Sequence, residues 1–336
     1  MPKGATIYDI ATICECSPAT VSLALNNDKR VKKETALKIQ KEAVKLNYRP
    51  SYFGRSLITG KSKTIKVVLP DIHNPVFVNI LDGIESHINQ SDYHLVLEVT
   101  NNDKDKEIES FTSLLDGQVD GVIISPIYGE EVTAYLLEKE IDLQKVFFAC
   151  YACASSDKIH YCVADSRLGA YKGVKNMLEN GCKRVAFLAP TVSKKQGANR
   201  MNGYLQALQE YEIAYDEKLL VNCSQDFHEI YDRVSDLLKE EKPDGVFCLY
   251  DYAAIPVLKA AADLGLRVPE DLMVTGYDDI EIVEFLQTPL TTVNTHLKEQ
   301  GAYAAKMMID LLEEKECPIQ NVFEPDLVIR KTTGSK

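Results

Sequence analysis

From Ser17 to Asn26 the chain reads SPATVSLALN, a run in which small polar side chains recur at helical spacing. Wound as a helix it turns Ala19, Thr20, Ser22, Leu23 and Asn26 outward and Val21 and Leu25 inward. An exposed face that opens with small hydroxyls enters the major groove of DNA without steric obstruction. An ordinary helical hairpin carries the same pattern. Two elements must position this face. Thr6, three residues before Asp9, predicts a reciprocal cap on a first helix whose buried side is Ile7, Ile10, Ala11 and Cys14. Ser17-Pro18 predicts the second start, a capping hydroxyl followed by proline at the first helical position. A third helix is expected from Lys33 to about Leu46, with Ala36, Leu37, Ile39, Ala43, Val44 and Leu46 apolar and no capping side chain at Lys32.

Other chemistry-bearing residues are sparse. Cys150-Tyr151-Ala152-Cys153, with Cys162 nearby, has the spacing of a redox or zinc pair. No second C-x-x-C accompanies it and His160 is the only nearby histidine, so packing cysteines are the expectation. Cys14 and Cys16 flank the turn between the first two helices and are expected in the core and on the surface respectively. No Walker loop, nucleophile elbow or HExxH occurs, which leaves no catalytic or metal-binding constellation and no cofactor to expect.

The net charge of −12 is unevenly divided. Residues 1–63 hold 12 Lys/Arg against 5 acids, a net +7, and the remainder carries −19. A basic head on an acidic body suits a protein whose head alone meets a polyanion. No apolar run approaches the ~20 residues that cross a bilayer. The start MPKGATIYD lacks the apolar core of a secretory signal, so a cytoplasmic location is expected, and nine scattered cysteines suit a reducing compartment.

Beyond residue 64 the chain alternates. Strand-like runs at 65–70, 94–99, 121–125 and 145–150 are separated by helical patterns at 77–89, 104–115 and 130–139. A second series, at 184–190, 219–223, 245–250 and 272–277, is separated by helices near 198–210, 227–240 and 253–264. Continuous apolar strands alternating with helices predict parallel sheets covered on both faces, here in two lobes. TTVNT (291–295) and a helix over 298–313 fit no strictly sequential layout. Ser51–Ile58 is too short to hold a helix alone in water.

The motifs resemble one family. Thr6–Ala11 (TIYDIA), Ser17–Ser22 (SPATVS), Leu46–Pro50 (LNYRP), Arg55–Leu57 (RSL) and Asn74–Phe77 (NPVF) are similar to the LacI/GalR family of bacterial transcriptional repressors. Arg200–Tyr204 (RMNGY), Leu264–Leu272 (LGLRVPEDL), Gly276–Asp279 (GYDD) and Pro289–Val293 (PLTTV) continue the likeness in the family's order over nearly the whole chain. The resemblance implies an α/β protein: a three-helix helix-turn-helix head (1–50), a hinge (51–62), and a body (63–336) of two doubly wound lobes like those of periplasmic binding proteins. The N-lobe would take about 63–163 plus 293–321 and the C-lobe 164–292 plus 322–336, with crossings near Val163, Thr292 and Asn321. It implies a homodimer on a pseudo-palindromic double-stranded DNA operator. DNA would be contacted by Thr6, Tyr8, Ser17, Pro18, Ala19, Thr20, Ser22, Leu23, Asn26, Tyr48 and Arg55, and Leu57 would be the minor-groove wedge.

A sugar-like effector would sit between the lobes against Phe77, Ser125, Cys150, Arg200, Tyr250 and Asp278, with Arg200 and Asp278 as the ligand clamp. Three positions depart from the family. Leu23 stands where arginine is common, Tyr250 where asparagine is common, and Ala149-Cys150 where some sugar-responsive members carry aspartate. With Phe77, Phe148 and Tyr151 these departures predict a more aromatic cleft, suited to an effector with a flat or apolar part, or to an aryl or oligomeric sugar. No heptad tail follows PDLVIR, so no tetramerising helix is expected. Alternatives are a regulator controlled by a protein partner and, against the basic head, a solute-binding protein.

Overall fold

The computed structural model describes residues 5–25, 28–46, 48, 61–152, 156–190, 194–224 and 226–334. The chain divides into two compact units, 1–62 and 63–336.

In the first unit, α1 (Ile7–Cys14), α2 (Pro18–Leu25) and α3 (Lys33–Lys45) enclose a small core of Ile10, Ala11, Cys14, Val21, Ala24, Ile39 and Ala43. The inner stripe of α2 is Val21 with Ala24, three residues apart, whereas the sequence points to Leu25, which is only partly buried. On α3, Leu37 and Val44 face solvent. Three short helices have room for one apolar stripe each, and Ile39 and Ala43 fill it.

The second unit holds two parallel sheets. β1 (Thr64–Leu69), β2 (His94–Val99), β3 (Gly121–Ile124), β4 (Val146–Ala149) and β5 (His160–Ala164) belong to the first, and β6 (Val185–Pro190), β7 (Leu220–Cys223), β8 (Gly245–Cys248) and β9 (Met273–Thr275) form the second. β10 (Thr292–Asn294) pairs antiparallel with β12 (Asp326–Val328), and β11 (Gln320–Phe323) joins the first sheet. The strand orders are β11-β5-β4-β3-β1-β2 and β7-β6-β8-β9.

Helices α4 (Pro75–Ile88), α5 (Lys104–Glu109), α6 (Thr112–Leu115) and α7 (Gly129–Glu138) connect the first sheet. The second is wrapped by α8 (Ser166–Glu179), α9 (Lys194–Glu210), α10 (Phe227–Glu240) and α11 (Asp251–Asp263), and α12 (Leu297–Leu312) returns to the first. Alternate residues of one strand feed opposite cores. In β1, Ile65, Val67 and Leu69 join α4 and α12, while Val68 faces Phe111 and α7. That is why these strands read as unbroken apolar runs.

Three elements escape the sequence pattern. β5 and β11 lie at expected lobe crossings and pair with each other, Asn321 opposite Cys162. β11 is an edge strand with exposed or half-exposed residues, so it carries no apolar run. α8 is interrupted by Gly169 and Gly173, which lower its helical signal; a Cβ at either would meet Tyr277 or Phe247. The helix expected over 104–115 is broken in two, with the buried Phe111 at the break.

α4 and α12 carry the tightest packing. A Cβ on Gly83 would run into the Lys298 carbonyl, and one on Gly301 into the Ile80 carbonyl. A glycine on each helix lets the backbones touch. Among the described residues, no helix is long and apolar enough to cross a membrane.

Candidate functional site

The head presents one polar face. Thr6 and Asp9 form the expected capping box: the Asp9 amide donates to Thr6 Oγ1 at 3.3 Å and the Thr6 amide to Asp9 Oδ2 at 2.7 Å. These bonds hold the Asp9 carboxyl below its ordinary range. Glu15, in the left-handed region at φ 57°, turns the chain toward α2. Ser17 Oγ accepts the Thr20 amide at 3.1 Å and lies 2.9 Å from the Thr20 hydroxyl, so both hydroxyls take part in starting the helix.

Tyr8, Ser17 and Ala19 are exposed, and Pro18, Thr20, Ser22 and Leu23 half-exposed. Tyr48 packs partly against the head core, and Cys16, expected at the surface, is half-buried there. Lys32 provides no side-chain cap to α3. Asn26, Arg55 and Leu57 lie outside the described residues.

In the second unit the carboxyl ends of β3, β4 and β8 and the start of α4 surround a cavity of about 130 Å³. Strand ends of parallel sheets are where such folds bind ligands. Phe77, Ser125, Cys150, Arg200, Tyr250 and Asp278 all line it. Arg200, from α9, stacks 3.8 Å over the Tyr277 ring and donates through Nη1 to the Leu249 carbonyl. Its Nη2 lies 3.7 Å from Asp278 Oδ1, and its Nε has no partner among the described residues. Burial pushes the Asp278 carboxyl up, and Arg200 and the Thr295 hydroxyl only partly hold it down.

Asp278 and Asp279 both adopt positive φ, 103° and 54°, in a turn fixed by the Asp278 amide on Val293 O at 2.7 Å. Such backbone persists only where its surroundings over-determine it. Asp279 is held by Arg330 Nη1 at 2.8 Å and by Asn294 at 3.1 Å. Beneath the turn, buried Asp251 accepts Thr292 Oγ1 at 2.5 Å and the Ile280 amide at 2.8 Å, tying α11 to β10. On the other wall Glu107 accepts the Ile127 and Tyr128 amides at 2.8 and 3.0 Å, which fixes the loop after β3 at the cavity rim.

Burial pushes the Asp251 carboxyl well above its ordinary value, more than its hydrogen bonds lower it. The native state then keeps a proton that the unfolded chain releases. The group's stabilising contribution is full below about pH 4 and is lost as pH rises through the native value. Asparagine can accept from Ile280 and donate to Thr292 without titrating. Relative to wild type, the melting temperature of Asp251→Asn is therefore expected to rise steadily from about pH 4 towards pH 7; a difference flat with pH would contradict this reading.

The chain matches two family descriptions: "Bacterial regulatory proteins, lacI family" over residues 6–51 and "Periplasmic binding protein-like domain" over 174–333. It is 30% identical to the HTH-type transcriptional repressor PurR of Vibrio atlanticus (strain LGP32), over 98% of both chains. It is also 30% identical to the ribose operon repressor of Haemophilus influenzae, over 98% of this chain and 99% of that one. The chain belongs to the LacI family. In fold it matches the crystal structure of the lac repressor dimer bound to operator and the anti-inducer ONPF, with a TM-score of 0.89 over 99% of this chain and 100% of that one at 23% identity. This LacI-family chain is a DNA-binding transcriptional repressor, and its relatives are repressors rather than enzymes.

One expectation about the LacI-family cleft needs correction. Phe148 and Tyr151 do not line it; both are buried in the core beneath, edge to face at 5.9 Å. A bulky aromatic at the end of a doubly covered strand fills the core before it reaches the cavity, so among the described residues Phe77 and Tyr250 give the cavity its aromatic character. Cys150 does face the cavity, at φ 57°, with Cys162 on the neighbouring strand. Burial pushes both thiols up, Cys162 to about 12, so they stay protonated and are poor nucleophiles or metal ligands. Cys153 lies outside the described residues, and among those described no group of three or more His, Cys, Asp or Glu can hold a metal.

Sequence reasoning missed Asp71, Asn74, Asn102, Thr295 and Gln300, which also line the cavity. Asn74 caps α4 through the Val76 amide at 3.1 Å within the NPVF motif, a signal that was present. Gln300 was legible too, as a polar residue on the apolar side of α12.

Proposed function

We propose that the chain acts in the cytoplasm as a homodimeric repressor, its two heads reading a pseudo-palindromic operator and its interlobe cleft binding a small hydroxylated effector. The observation that carries the effector reading is the cavity itself: Arg200 Nε and Gln300 Oε1, from two of the residues that line it, are buried and have no partner among the described residues. A neutral ligand rich in hydroxyls satisfies both. The operon that names the Haemophilus influenzae relative, that of ribose, supports the same class.

We assign 1–50 to the head, 51–62 to the hinge and 63–336 to the body, with lobes divided near 163, 292 and 321. The homodimer is supported by apolar side chains left open on the body: Val96 and Leu97 on the edge strand β2, Ile282, and Phe285 at 73% exposure. Two-fold symmetry in the protein imposes a symmetric site on DNA. Effector binding would favour one lobe arrangement through differential affinity and withdraw Leu57 from its base step. With Leu23 in place of arginine, bidentate readout of guanine is lost there and contact with a thymine methyl becomes the expectation.

The test is selection of genomic fragments by the full chain beside Leu57→Ala. A symmetric site that the variant binds more weakly supports the reading. Uniform, salt-sensitive binding without an enriched site counts against it.

A further inference from the structure

Gln300 sits one turn into α12, is 1% exposed and lines the cavity near Leu297 and Cys150. Its orientation is fixed chemically. The side-chain nitrogen lies 2.6 Å from the Thr295 carbonyl, and a carbonyl can only accept, so that end must be the NH2 group. The other end is then an oxygen that can only accept. Its backbone is pinned as well, the amide donating to His296 O at 2.8 Å and the carbonyl lying 3.5 Å from Cys162 Sγ. Oε1 has no donor among the described residues. A buried acceptor left unpaired is costly to keep, and a leucine here would extend the apolar side of the helix at no such cost. Arg200 Nε, in the lining of the same cavity, is the converse, a buried donor without an acceptor among the described residues.

We propose that Gln300 is a specificity-determining residue of the effector cleft, selecting ligands that present a hydroxyl or N–H to its Oε1 and rejecting those that present a carboxylate, phosphate or ether oxygen there. This rests on the cleft being the effector site. Together with Arg200 it requires a polar ligand with a donor at the α12 end and an acceptor at the α9 end. Oxygen-only groups fail at Gln300 because two acceptors face each other with no proton between them, and an anionic one adds the loss of its hydration.

The experiment uses the full chain as wild type, Arg200→Ala, Gln300→Leu and Gln300→Met. Thermal shift is read against a panel of neutral monosaccharides and their phosphate esters, followed by calorimetry of any hit and its monodeoxy and mono-O-methyl derivatives. One deoxy derivative is expected to bind wild type roughly 10- to 100-fold more weakly than its parent, the effect of one buried hydrogen bond. Both Gln300 variants should bind that parent and derivative alike. If the hit is lost in Arg200→Ala but both Gln300 variants bind it and discriminate the series as wild type does, the cleft reading stands and the role of Gln300 falls. If no compound gives a shift that Arg200→Ala removes, the cleft reading falls and takes this proposal with it. If neither Gln300 variant folds without ligand, the glutamine is structural and the proposal is overturned.

Discussion

Gly301→Val is expected to lower the melting temperature of the body by ~6–12 °C. The estimate starts from contact: even a methyl group at 301 runs into the Ile80 carbonyl, and Gly83 makes the reciprocal approach to Lys298. Backbone atoms cannot swing aside as a flexible side chain does, so the helices must separate along their length. Overpacking of this kind costs about 3 kcal/mol or more, at ~2–4 °C per kcal/mol for a body of this size. The consequence reaches the cleft, because α4 brings Phe77 and α12 brings Leu297 and Gln300 to the cavity wall. The same variant should therefore lose ligand binding even where it remains folded. Gly197→Ala is the control: it is helical, with none of the described residues within 4 Å of the new Cβ, and should raise stability slightly. Calorimetric melting of both variants settles the matter, and an unchanged transition in Gly301→Val would refute the close packing.

Arg200→Ala is expected to abolish the response to any cleft ligand, with affinity falling by roughly 30-fold or more, as for truncating a buried, hydrogen-bonded charge. It removes the stacking on Tyr277, the bond to Leu249 and the unpartnered Nε together. It also removes the larger of the two influences that hold the Asp278 carboxyl down, leaving only the Thr295 hydroxyl, so that group rises further above its ordinary value. The sign follows from linkage. A raised native carboxyl stabilises fully below about pH 4 and loses that contribution as pH rises, so the deficit of Arg200→Ala should be small in acid and grow towards neutral pH. Arg200→Lys keeps the charge but neither the planar stack nor the Nε donor, and should fail in ligand binding nearly as completely. Melting curves at several pH values with calorimetry of the ligand check both parts; a pH-independent deficit would sink the account of Asp278.

Much of this was legible in the sequence because it is local. The capping box of Thr6 and Asp9, the Ser17 start and the uncapped Lys32 each depend on residues within a turn of one another, and each forms as read. Alternating apolar strands and helices gave the parallel layers, since a strand buried on both faces must be apolar throughout. The six cleft residues were reached through motif resemblance, and they line one cavity.

What the tertiary structure decided lies where distant segments meet. β11 is a strand only because β5 supplies its partner about 160 residues earlier. α8 tolerates two glycines because Tyr277 and Phe247 fill the space their side chains would occupy. Cys150 turns toward the cavity and Phe148 into the core because the strand ends between them, and no spacing rule reports where a strand ends. Gln300 looks like a misplaced polar residue on an amphipathic helix until Thr295 fixes its amide and leaves its oxygen, at the cavity wall, without a donor among the described residues. Caps and periodicity are written in neighbouring residues, whereas an unpaired buried acceptor exists only once the rest of the chain has closed around it.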